Sequence, residues 1–172
     1  QPEVDVAGND IMPKEMFFVV DCSGSMSGQP IEVAKETVRQ FVRGMNPGDS
    51  FQIIRFSEDA SGMSDHPLEN TPENVATGIS YINSLEGEGG TMMIEGIKAA
   101  LDFPHDPERL RFVCFLTDGY IGNEVEILRE IHRRLGASRI FSFGIGAAVN
   151  RYLIDHMAKA GRGAVAYLGP RD

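Results

Sequence analysis

Short oxygen-bearing side chains gather at three places in this sequence: Asp21-Cys22-Ser23-Gly24-Ser25, Gly89-Gly90-Thr91 and Thr117-Asp118-Gly119. Asp21, Ser23, Ser25, Thr91 and Asp118 together offer two carboxylates and three hydroxyls, with no imidazole or thiolate. That donor set suits a hard cation. Mg²⁺ comes first, with Mn²⁺ or Ca²⁺ as substitutes of the same class, and Mg²⁺ takes about six oxygens at roughly 2.0–2.1 Å while keeping some waters. Neutral hydroxyls would leave the ion enough Lewis acidity to attract one more carboxylate, supplied by a partner. Two aspartates close together without a cation repel, and one needs a raised pKa. Ser23 and Ser25, two apart in a turn, can aim both hydroxyls the same way, and Gly24 lets the backbone turn between them.

Three loops must converge for this chemistry, so the elements that position them matter. Met16-Phe17-Phe18-Val19-Val20 is a continuous apolar run, the mark of a strand buried on both faces, over Glu15 to Asp21. Pro30 opens a helix in the favoured first turn, and Ile31, Ala34, Val38, Phe41, Val42 and Met45 give it a helical apolar period. Phe51 to Phe56 is the next strand, followed by a polar stretch from Ser57 to Asn70 with a short edge strand near Met63. Thr71-Pro72 starts a helix with the stripe Val75, Ile79, Ile82 and Leu85; another carries Ile94, Ile97 and Leu101. Arg111 to Leu116 is a buried strand. Asn123 with Glu126 resembles a capping box, opening a helix lined by Val125, Leu128, Ile131 and Leu135. Ile140 to Phe143, a helix capped by Asn150, and Ala164 to Leu168 complete the chain. Alternating strands and helices imply an α/β fold: a doubly wound, mostly parallel six-stranded sheet with helices on both faces. Ligands in such sheets bind beyond the carboxyl ends of the strands, where strand order reverses. Residues 1–14, polar with two prolines, read as a linker or the end of a preceding module; residues 15–172 read as the domain.

The pattern Asp-x-Ser-x-Ser at Asp21, Ser23 and Ser25, with Thr91 and Asp118 at the expected later positions, resembles the von Willebrand factor type A family. The resemblance covers Glu15 to Leu168. It implies that these five residues form a metal-ion-dependent adhesion site, completed by a Glu or Asp of a protein ligand. Asp21-Cys22-Ser23-Gly24-Ser25-Met26, Gly28-Gln29-Pro30-Ile31 and Thr117-Asp118-Gly119 followed by Gly122-Asn123-Glu124 are similar to the subgroup of inter-alpha-trypsin inhibitor heavy chains and bacterial sortase-attached surface proteins. Cys22 stands where a smaller residue is commoner and is not a ligand. The family's C-terminal helix is absent or barely begun at Gly169-Pro170.

Other chemistries fit less well. A Mg²⁺-dependent phosphotransferase with Asp21 as nucleophile wants a second aspartate where Ser23 stands. In Gly24-Ser25-Met26-Ser27-Gly28, Met26 occupies the position a serine hydrolase needs for its nucleophile. Gly144-Ile145-Gly146 lacks the third glycine and the opening βαβ of a dinucleotide site. His66, His105, His132 and His156 have no zinc spacing. Cys22 and Cys114 are too few for a disulfide framework and read as unpaired. A net charge of −9 argues against nucleic acid and anionic membranes, and no apolar run nears the roughly 20 residues of a membrane span. The expectation is a non-catalytic binding module at the cell surface or outside the cell. An intracellular scaffold for an ATPase partner, a role some family members play, is the competing reading.

Overall fold

The structure is a computed structural model that describes residues 12–119 and 121–169. Most of the expected N-terminal linker therefore lies outside the described residues, as do Pro170 and the two residues after it. The first strand, β1, covers Lys14–Asp21 and begins one residue before the expected boundary. A 3₁₀ turn at Gly24–Met26 leads into α1, Gln29–Arg43. Then come β2 (Ser50–Phe56), β3 (Ala60–Gly62), β4 (Leu68–Glu69), α2 (Pro72–Asn83) and α3 (Met93–Leu101). The chain ends with β5 (Leu110–Thr117), α4 (Glu124–Arg134), β6 (Arg139–Ile145), α5 (Arg151–Ala160) and β7 (Val165–Leu168).

The strands form one seven-stranded sheet in the order β3-β2-β1-β5-β6-β7, with β4 also paired to β2. Five strands run parallel, and β3 and β4 are antiparallel to β2. The sheet thus has one strand more than the six expected. The polar stretch between Ser57 and Asn70 supplies two short edge pieces rather than one, because it has no apolar alternation to sustain a longer strand.

Alternation across β1 explains its unbroken apolar run. Phe18 and Val20 join Ile53, Cys114 and Leu116 beneath α1 and α2. Phe17 and Val19 face the other way and pack with Phe56, Val113 and Phe115 beneath α3, α4 and α5. In β1 the burial on both faces confines polar side chains to the strand ends, and the carboxyl ends of β1 and β5 hold Asp21 and Thr117.

The helix starts follow two chemistries. Thr71 and Asn150 cap α2 and α5 by accepting from Asn74 N and Leu153 N, both at 3.2 Å. Asn123 makes no such bond. Its Nδ2 donates to Glu126 Oε1 at 3.2 Å, so the expected capping box is a side-chain pair instead. In α1, Phe41 is 38% exposed while Lys35 is buried. Phe41 sits at the margin of the helix's footprint, touching the rings of Phe18 and Phe143, whereas the Lys35 ammonium reaches Asn83 O at 3.3 Å.

Candidate metal centre

Strand order reverses at β1: the chain goes from β1 to β2 on one side, then crosses back to place β5 on the other. The neighbouring ends of β1 and β5 therefore border the crevice expected to hold ligands. Val20 is level with Leu116, which sets Asp21 beside Thr117 and brings Asp118 just beyond. Asp21, Ser23 and Thr117 are wholly buried, and Asp118 nearly so.

Asp21 is fixed at both carboxylate oxygens. Ser23 N donates to Oδ1 at 2.9 Å, and the Thr117 hydroxyl donates to Oδ2 at 2.6 Å. Thr117 Oγ1 also accepts from Gly119 N at 2.9 Å, so one hydroxyl ties the end of β1 to the turn that carries Asp118. In the sequence Thr117 reads only as part of the loop that carries Asp118. Burial pushes the Asp21 carboxyl above its usual range. Hydrogen bonds from Ser23 and Thr117 oppose that rise, and the nearby charge of Asp118 adds to it. A buried carboxylate beside a second one is the electrostatic situation a cation would relieve.

The serines are also together. Ser23 Oγ and Ser25 Oγ lie 3.2 Å apart, Ser23 buried and Ser25 exposed. The 3₁₀ turn is held by Met26 N donating to Ser23 O at 3.0 Å. Backbone bonds bring the glycine loop onto this turn: Gly24 N donates to Gly89 O and Glu88 N to Cys22 O, both at 2.9 Å. On the far side of Thr91, Met92 N donates to Ser57 O at 2.6 Å. Thr91 thus hangs between two tethers, partly exposed, and its side chain makes no hydrogen bond among the described residues.

The surroundings are one-sided. Glu86 and Glu88 are exposed on the glycine loop, and Glu58 lies against Gly89 and Gly90. Cys22, next to Asp21, is buried and free, and burial pushes its thiol up to about 12. Cys114 behaves likewise. Among the described residues no three His, Cys, Asp or Glu side chains gather as a metal group, so any ion here relies on two carboxylates plus hydroxyls. His66, His105 and His132 are exposed, and His156 stacks on Tyr152. Gly144, in the turn that lacks a dinucleotide fingerprint, makes room for the Tyr167 ring; a Cβ there would stand 2.6 Å from it.

Comparison with known proteins agrees with this architecture. The family model for the von Willebrand factor type A domain matches residues 14–167. A von Willebrand factor A domain-containing protein of Dictyostelium discoideum is 34% identical over 164 residues, 94% of this chain. Human inter-alpha-trypsin inhibitor heavy chain H3 is 28% identical over 169 residues, 91% of this chain, in line with the subgroup resemblance. The chain spans only 18% and 19% of those two proteins. Proximal thread matrix protein 1 from the mussel byssus, solved with a zinc-occupied MIDAS motif, superposes with a TM-score of 0.69 at 17% identity, covering 91% of this chain and 42% of that one. No helix among the described residues is long and apolar enough to cross a membrane. On the extent of the family match, this chain belongs to the von Willebrand factor type A domain family.

Proposed function

We propose that Asp21, Ser23, Ser25, Thr91 and Asp118 hold one divalent cation, Mg²⁺ foremost, and that the domain uses it to bind the Glu or Asp side chain of a protein partner. The observation that carries this reading is the meeting of two loops at a buried carboxylate: Asp21, gripped by Ser23 N and Thr117 Oγ1, beside Asp118. The oxygen-only donor set fits a hard cation, and the unbonded hydroxyl of Thr91 is available to it. The zinc-occupied motif of the mussel protein on the same fold supports a metal at this place. We read the domain as non-catalytic, because the site has no paired nucleophile and base. The residues 15–172 form the binding module, which we place at the cell surface or outside the cell, as the inter-alpha-trypsin inhibitor subgroup resemblance implies. A signal peptide upstream in the full-length chain is the expected finding, and a protein confined to the cytosolic fraction contradicts that placement.

The test of the site is calorimetric titration of Mg²⁺ into the domain and into Asp21→Ala. The wild-type chain takes up one ion and the variant none. Equal uptake by both refutes the assignment.

A further inference from the structure

The carboxyl edge of the sheet is electrically lopsided. On the β2 side of the candidate centre stand the exposed Glu58, Glu86 and Glu88. On the β6–β7 side the exposed cation is Arg151, the first residue of α5. Its guanidinium lies 3.9 Å over the Tyr167 ring, and no carboxylate among the described residues comes within ion-pair distance of it. Asp155 is close by, but it accepts the Tyr167 hydroxyl. The other nearby acid, Glu124, accepts from Asn150 Nδ2 at 3.0 Å.

Two adjoining hollows connect Arg151 with the centre. The first, about 480 Å³, begins at Gly119, directly after Asp118, and is lined by Ile121, Ala148 and Val149. Asn150 N donates to Asp118 O at 3.0 Å, which anchors this wall to the centre itself. The second, about 400 Å³, shares Ala148 and Val149 and runs on to Arg151 and Tyr167. A trough floored by the small side chains of Ala148 and Val149 therefore leads from the Asp118 turn to Arg151, a cation with no charged partner among the described residues.

We propose that this trough binds an extended acidic segment of a protein partner: one carboxylate at the metal centre, small or apolar residues over Ala148 and Val149, and a second carboxylate on Arg151. The inference rests on the metal-binding reading above. Charge decides the direction of the segment, since an acidic chain leaving the centre toward Glu58, Glu86 and Glu88 meets like charge, whereas toward Arg151 it meets opposite charge. An ion pair at this exposure contributes little affinity, about 1.5- to 5-fold, so Arg151 acts mainly on specificity.

The probe is a displayed library of random peptides selected on the immobilised 172-residue chain in Mg²⁺, in EDTA, and on Arg151→Glu and Arg151→Gln. Circular dichroism confirms that both variants fold. Expected is Mg²⁺-dependent enrichment of peptides with two acids separated by small or apolar residues. Arg151→Gln should lose the second acid, and Arg151→Glu should replace it with Lys or Arg. Synthetic two-acid peptides should bind Arg151→Gln about 1.5- to 5-fold more weakly than wild type, with the difference shrinking at high salt. A Mg²⁺-dependent preference for a single acid, or the same two-acid pattern on Arg151→Glu, overturns the inference and leaves the metal reading intact. Enrichment that persists in EDTA, or none in Mg²⁺, overturns both.

Discussion

Thr117 does two jobs with one hydroxyl: it donates to Asp21 Oδ2 and accepts from Gly119 N. Replacing it with the near-isosteric valine leaves a buried carboxylate oxygen and a buried N–H without their partner. Thr117→Val should therefore cost about 1–3 kcal/mol in urea unfolding and weaken Mg²⁺ binding, while Thr117→Ser keeps both. Wild-type Mg²⁺ affinity in Thr117→Val would contradict the role assigned to it. The candidate donors stand out in the sequence because Asp and Ser at a strand exit are chemically conspicuous. Thr117 does not stand out in the same way, because beside Asp118-Gly119 it reads as one more short polar residue of the turn. Only the register of β1 against β5 shows which carboxylate its hydroxyl meets.

At the scale of elements, the glycine loop before α3 delivers Thr91, and it does so by close backbone approach. A Cβ on Gly87 would stand 2.7 Å from Ser27 N and 2.9 Å from Ser23 O, both main-chain atoms that cannot swing aside. Gly87→Ala should push the loop off the Ser23 turn and weaken Mg²⁺ binding about tenfold, roughly 1.4 kcal/mol. Gly122→Ala is the matched control, since a Cβ there meets nothing within 4 Å, and it should change stability by no more than about 0.5 kcal/mol. Parallel titrations of the two variants check the contrast, and equal affinities would refute it. The strands, the helices and their order were legible because central strands carry continuous apolar runs and helices a 3.6-residue stripe. The edge was less so. β3 and β4 are set by pairing to β2, through Ile54–Gly62 and Phe51–Leu68, rather than by any pattern of their own. The Asn123–Glu126 spacing promised a capping box, and the side chains bonded each other instead.

Across the whole molecule, the two ends of the sheet have different work. The carboxyl end gathers the candidate centre. At the opposite end Arg111 and Glu15, both buried, pair with Nε to Oε1 at 2.9 Å. Arg111 also donates to Phe103 O and Pro104 O and lies 4.4 Å over the Phe17 ring, stapling the segment between α3 and β5. Arg111→Met strands the Glu15 charge and should cost about 3–5 kcal/mol, or roughly 6–20 °C of melting temperature for a domain of this size. Adding Glu15→Leu should recover part of that loss, and calorimetric scans of the single and double variants decide it. The pair was not visible in the sequence because 96 residues separate its members. At the other end, side chains from separate loops are the proposed ligands of a single ion. The most direct measurement is anomalous diffraction from a crystal of the domain soaked in Mn²⁺. A single strong peak among the side-chain oxygens of Asp21, Ser23, Ser25, Thr91 and Asp118 is the predicted result, and a peak elsewhere, or none with those oxygens turned apart, would contradict it.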